Sequence, residues 1–268
     1  MTEPLLEVKD LAVEFRTRRG AVRAVDGVNL AIAPGETLGL VGESGSGKSV
    51  TSLAVTGLTA YAGGHVVGGS VRFADHDMLR LPDRERATVL GRDIGMIFQQ
   101  PIRSLNPTMR VGDQIAEAVR AHQGVSRSAA RARAVEMLDR VRIPDAARRA
   151  RDYPHTFSGG MCQRVMIAIA LACEPRLLIA DEPTTALDVT VQARVLDLLA
   201  ELRRDTGIAI LLVTHDIGVV ARICDRMAVM YQGRVVETGA VRDVLAAPGH
   251  EYTKRLLAAA PVRRTDRS

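Results

Sequence analysis

At 268 residues, with 47% hydrophobic and 25% charged residues, the chain is long enough to bury a sizeable core and has an ordinary globular composition. Tryptophan is absent and aromatics make up 3%, so the core must be built from Val, Leu, Ile, Ala and Met. No apolar run approaches the roughly 18–20 residues needed to cross a bilayer. The longest, Val165–Cys173 and Ile208–Val213, read as a buried helix and a buried strand. The N-terminal MTEPLLEVKD lacks the basic flank, apolar block and cleavage site of an export signal. Cys162, Cys173 and Cys224 have no C-x-x-C spacing, which argues against a disulfide framework or a zinc site and fits a reducing cytoplasm. The net charge of +5 is compatible with nucleic acid or an anionic membrane face as partner. Much of that excess lies in Arg127, Arg131, Arg133, Arg140, Arg142, Arg148, Arg149 and Arg151, which also read as a solvated helical face.

In chain order, Leu6–Phe15 and Val28–Ile32 are strand-like, and Ala33-Pro34-Gly35 is turn chemistry. Thr37–Val41 is a short buried strand entering a glycine-rich loop, and Ser49–Leu58 behind it reads as a helix. Ser70–Phe73 and Ile94–Phe98 are further strands. From Val111 to about Asp152 the spacing turns helical, with apolar positions at Val111, Ile115, Val119, Val135, Leu138 and Val141. Pro144, Pro154 and Ser158-Gly159-Gly160 bound that insert. Then Gln163–Cys173 is helix, Leu177–Ala180 strand, Val189–Asp205 helix and Ile208–Thr214 strand. A hairpin, Met227–Tyr231 and Arg234–Glu237 around Gln232-Gly233, and two small helices follow. Alternating strands and helices predict an α/β fold with a mostly parallel sheet.

Gly42-Glu43-Ser44-Gly45-Ser46-Gly47-Lys48-Ser49 satisfies G-x-x-x-x-G-K-[ST], a P-loop. Its glycines let successive N–H groups turn inward on phosphate oxygens, and the following helix adds its positive end. Lys48 brings charge to the β and γ phosphates, and the Ser49 hydroxyl is a ligand for Mg²⁺. Leu177-Leu178-Ile179-Ala180-Asp181-Glu182 is an apolar strand ending in two acids, where parallel sheets place ligands. Asp181 suits a Mg²⁺ carboxylate and Glu182 a base for the attacking water. Ile208–Thr214 delivers His215 to a strand end, where contact with a γ-phosphate is the expected role. His65, His76, His122, His155 and His250 have no such context.

Phe157-Ser158-Gly159-Gly160-Met161-Cys162-Gln163-Arg164 resembles the signature motif of ABC-type ATPases. Gln99 after Met96-Ile97-Phe98 is similar to the Q-loop glutamine. Glu182-Pro183-Thr184-Thr185-Ala186-Leu187-Asp188 resembles the Walker B end and D-loop, with Asp188 the D-loop acid, and Thr214-His215-Asp216 the switch histidine. The ordered set covers nearly the whole chain. The resemblance implies a P-loop core with an N-terminal antiparallel β subdomain and an inserted helical signature subdomain. Its approximate parts are 1–98 with 166–240 for core and β subdomain, 99–165 for Q-loop and helical subdomain, and 241–268 for a helical tail. It implies ATP and Mg²⁺, with Gln99 as a further metal contact and Val50 alongside the loop. It also implies a head-to-tail pair in which Ser158, Gly159, Gly160 and Met161 cap the ATP of the other subunit. Phe15 is the candidate to stack on adenine, core packing being the other reading.

Gln100–Pro107, Asp216–Ala221, Met230-Tyr231 and His250–Leu257 further resemble the peptide and nickel importer subunits. That resemblance implies a related but different ATPase as partner, two membrane permeases and an extracytoplasmic solute-binding protein, at the cytoplasmic face of the membrane. Di- or oligopeptides are the expected solute, nickel or a metal chelate the alternative. An ABC ATPase acting on nucleic acid or ribosomes and a non-ABC P-loop kinase are the competing readings. The first lacks its tandem domains, coiled coils or zinc modules here, so no nucleic-acid partner is expected, and the second leaves the signature unexplained. Three departures stand out. Val50 replaces the commoner Thr. Cys162, near a helix start, is expected to carry a lowered thiol pKa and to be sensitive to thiol reagents at the subunit interface. With no cysteine after Cys224, no iron–sulfur cluster is expected.

Overall fold

The computed structural model describes residues 3–18, 20–185 and 187–259. Its contacts divide the chain into two compact units, one drawn from the segments up to Leu81 and from Leu211 onward, the other Pro82–Ile210.

The first unit opens with β1 (Leu6–Thr17), β2 (Gly20–Ile32), β3 (Thr37–Val41), α1 (Lys48–Val55), β4 (Gly64–Phe73) and the short β5 (His76–Asp77). β2, β1, β4 and β5 form an antiparallel sheet in that order. The register sets Leu6 opposite Ile32 and Phe73, and Phe15 opposite Val22 and Gly64. One face of this sheet carries Leu6, Val8, Val71 and Phe73, all buried, as period-2 alternation requires.

The second unit holds α2 (Asp83–Arg92), β6 (Ile94–Ile97), α3 (Pro101–Ser104), α4 (Val111–Gln123), α5 (Arg127–Arg140), α6 (Ala146–Arg149), α7 (Gly159–Leu171), β7 (Leu177–Asp181) and α8 (Val189–Thr206). β6 and β7 pair in parallel, Ile94 beside Leu177 and Ile97 beside Ala180. α4 buries Val111, Ile115, Ala116 and Val119, the stripe expected from their spacing. Ser126 caps α5, its hydroxyl accepting the N–H of Ala129 at 3.2 Å.

β8 (Ala209–Thr214) returns the chain to the first unit, followed by α9 (Ile217–Ile223), β9 (Arg226–Tyr231), β10 (Arg234–Ala240), α10 (Val241–Ala246) and α11 (Glu251–Ala259). β3 runs parallel to β9, and β9 antiparallel to β10. Gln232 and Gly233 both have positive φ, +47° and +81°, so the β9–β10 hairpin turns in the type I′ sense that matches strand twist. Val41, Val220, Met227, Val229, Val244 and Tyr252 pack into one buried cluster beneath β3, β9, α10 and α11. The α/β expectation holds, with a mostly parallel sheet and a separate antiparallel one. Among the described residues no helix is long and apolar enough to cross a membrane.

Candidate active site

β3 is five residues long and buried throughout, which fixes where the loop after it begins. The loop is clamped from behind. A Cβ on Gly42 would lie 2.1 Å from the Met230 carbonyl oxygen, and one on Gly47 would lie 2.4 Å from that of Ala24. Gly47 also sits at φ +105°, a region that side chains rarely adopt. Gly233 donates its N–H to the Ser46 carbonyl at 2.9 Å, tying the hairpin turn to the loop. Lys48, 4% exposed, folds its Nζ back onto the carbonyls of Gly42 and Glu43 at 2.7 and 2.8 Å. Among the described residues the amides of Ser44, Gly45 and Gly47 donate to no protein acceptor. The Ser46 hydroxyl is buried with no hydrogen-bond partner. Ser44 and Gly45 are exposed, but Gly47 and the Ser46 hydroxyl are buried, and buried polar groups are almost always paired, so unspent donors at those two positions suit a loop shaped for an anion.

In the second unit β7 ends at Asp181, which is buried, and the chain then turns sharply. Glu182 adopts φ +47°, a left-handed conformation costing a non-glycine residue about 1 kcal/mol or more. Its Oε2 accepts two hydrogen bonds at 2.8 Å, from Gln99 Nε2 and from the Thr185 hydroxyl. A left-handed backbone and two side-chain donors together fix where the Glu182 carboxylate points. Gln99 and Glu182 were singled out for separate roles, and their direct contact was not foreseen. Thr185 was missed, although it lies within the motif already marked.

Asp188 caps α8, Oδ1 accepting the Val191 N–H at 2.9 Å. Ser158 caps α7 in the same way, accepting from Met161 N–H at 3.3 Å. The Gly159-Gly160 pair, unexplained by capping, now separates into two causes. A Cβ on Gly160 would lie 2.6 Å from Val191 Cγ1, so α7 and α8 demand a glycine there. A Cβ on Gly159 would meet nothing within 4 Å, which leaves the helix start open to an approaching group. In the first unit His215 follows β8 and is exposed, and Asp216 caps α9 through bonds from the Gly218 and Val219 N–H groups at 2.7 and 3.3 Å. Phe15 is half-buried, and its Cζ would lie 2.8 Å from a Cβ on Gly64, so its ring covers that glycine within the sheet.

Cys162 overturns an expectation. It is 1% exposed, its Sγ donates toward the Pro154 carbonyl at 3.6 Å, and burial pushes its thiol up rather than down. Lying one turn inside α7, it faces the core beneath Pro154 and not the open helix end, so neither a lowered pKa nor reagent access follows.

The family model described as ABC transporter matches residues 25–185, well over half of the chain. The chain belongs to the ABC transporter family. It is 55% identical over 257 residues, 96% of this chain and 76% of the relative, to the oligopeptide transport ATP-binding protein OppD of Salmonella typhimurium. To the dipeptide transport ATP-binding protein DppD of Bacillus subtilis it is 50% identical, covering 97% of this chain and 77% of the relative. Among solved structures, the dimeric post-hydrolysis state of the ATP-binding cassette MJ0796, bound to ADP and Pi, is similar at TM-score 0.79. That match is 30% identical and covers 88% of this chain and 99% of that one. The cassette cbiO1 of Clostridium perfringens, part of an ABC transporter complex, is similar at TM-score 0.77 and 28% identity, covering 91% and 92%.

Proposed function

We propose that the chain is the MgATP-hydrolysing subunit of an ABC importer for di- or oligopeptides. The observation that carries the reading is the clamped loop from Gly42 to Ser49, which presents unspent amides and the Lys48 ammonium for a polyphosphate. Ser44, Gly45, Ser46 and Gly47 hold phosphate oxygens, Lys48 leaves its resting carbonyls for the β and γ phosphates, and Phe15 stacks on adenine beside Glu43 and Val50. Ser49, Asp181 and Gln99 offer hard oxygen donors that suit Mg²⁺, an ion that keeps waters and substrate phosphates and needs no all-protein cage. When bound, the ion neutralises charge developing on the phosphates. Glu182 takes the proton of the attacking water, Gln99 positions that carboxylate, and His215 donates to the γ-phosphate. Ser158, Gly159, Gly160 and Met161 cover the ATP of a second ATPase subunit, Asp188 flanking them, which suits the open approach at Gly159.

Identity above 50% to OppD supports peptides as the solute class. The partners are then a related ATPase chain, two permeases and an extracytoplasmic binding protein, with this subunit peripheral at the cytoplasmic face and no nucleic acid involved. The test is hydrolysis by the assembly co-purified with its permeases, wild type against Glu182→Gln. Permease-dependent turnover that collapses in the variant while ATP still binds supports the reading. Turnover stimulated by DNA or ribosomes and indifferent to Glu182 overturns it.

A further inference from the structure

The segment His250–Leu257 is a landmark in the sequence that no catalytic role absorbs. In the structure it starts α11, and Glu237 on β10 pins the approach to it by accepting the N–H groups of Gly249 and His250 at 2.7 and 3.1 Å. Tyr252 then enters the core, 2% exposed, with its ring stacked on Tyr231 at 4.1 Å between centroids. Its hydroxyl oxygen accepts the N–H of Glu43 at 3.0 Å, across 209 residues of sequence. Glu43 is the second residue of the phosphate loop, and the Gly42 carbonyl, in the same peptide plane as that N–H, accepts the Lys48 ammonium at 2.7 Å. One peptide unit thus joins a tyrosine of α11 to the loop's lysine.

We infer that Tyr252 is a positioning residue for the phosphate loop, setting the orientation of the peptide plane that parks Lys48 and from which the phosphate-facing amides follow. The geometry favours this over plain packing for two reasons. A tyrosine ring needs no hydroxyl to fill an apolar cluster, yet a buried hydroxyl needs a partner, and the one it has is a loop amide. That amide is also the one in the stretch from Glu43 to Gly45 with a protein acceptor, so Tyr252 separates the loop's anchored entrance from its open centre. β3 and the hairpin fix the loop's sides, and α11 fixes its first turn.

The inference rests on the loop binding a nucleotide, and the experiment separates the two. A fluorescent ATP analogue with Mg²⁺ is titrated into the purified chain as wild type, Tyr252→Phe and Thr253→Val. Thr253 is equally buried on the same helix, so its variant removes a hydroxyl without touching the loop. Tyr252→Phe is expected to weaken binding about three- to tenfold, the fold-change one hydrogen bond commands, with circular dichroism unchanged and Thr253→Val within twofold of wild type. Equal binding by Tyr252→Phe, or equal weakening by both variants, overturns the inference while leaving the nucleotide site standing. No binding by wild type defeats the nucleotide reading itself. Independently of any variant, the Glu43 amide should exchange slowly with deuterium, and fast exchange in wild type also overturns the inference.

Discussion

The carboxylate of Glu182 is held by an amide and a hydroxyl, both neutral, and this makes its neighbour unusually informative to mutate. Gln99→Ala removes one donor and should lower turnover, whereas Gln99→Glu sets a second carboxylate 2.8 Å away. Like charges so close cannot both ionise freely, and one proton is retained near neutral pH. Gln99→Glu should therefore be more damaging than Gln99→Ala in MgATP turnover by the assembled complex, with part of the loss recovered by a change of pH. Equal losses would show that the glutamine acts elsewhere. At Cys162 and Cys173 burial raises both thiols, so each should label far more slowly than the half-buried Cys224. Mass spectrometry of timed alkylation reads this directly. The placement of Lys48 in the loop behind a buried strand, and of Asp181 and Glu182 at a strand end, was legible in the sequence because spacing and hydropathy dictate it. The burial of Cys162 was not, because helix-start position says nothing about which side of the helix a residue faces.

Elements show the same division. The hairpin was legible from Gln232-Gly233, whose positive φ values a type I′ turn requires, and α4 from its apolar stripe. The first half of β2 was not, because residues 20–23 are exposed and carry no alternation. α2 was missed for a similar reason, burying only Val89 and breaking at Leu90 and Gly91. Asp188, read from the sequence as the D-loop acid, caps α8, and that cap yields a stability prediction. Asp188→Ala loses the bond to Val191 N–H and should cost about 1 kcal/mol, a fall in melting temperature of about 2–4 °C by calorimetry. Gly160→Val should be worse, since even a Cβ there collides with Val191, whereas Gly159→Ala has room and should leave stability almost unchanged. Loss of activity in Gly159→Ala with its stability unchanged would locate Gly159 at a contact with something outside the subunit.

For the molecule as a whole, membership of the ABC family was legible from the order of motifs, since no single one of them suffices. What the sequence withheld is how distant stretches are joined at the phosphate loop. Truncation after Gly249 deletes α11 and with it the acceptor for Glu43 N–H, and should weaken nucleotide binding at least as much as Tyr252→Phe does. Titration with the same ATP analogue checks this, provided the shortened chain stays folded by circular dichroism. The span from Glu43 to Tyr252 also has a temporal meaning. At about 5–20 residues per second, a ribosome needs about 10–40 s to make the intervening chain. Throughout that interval the growing polypeptide displays its glycine-rich loop without the tyrosine that secures it. On the inference drawn above, the loop reaches its full hold on a nucleotide only once Tyr252 has been made.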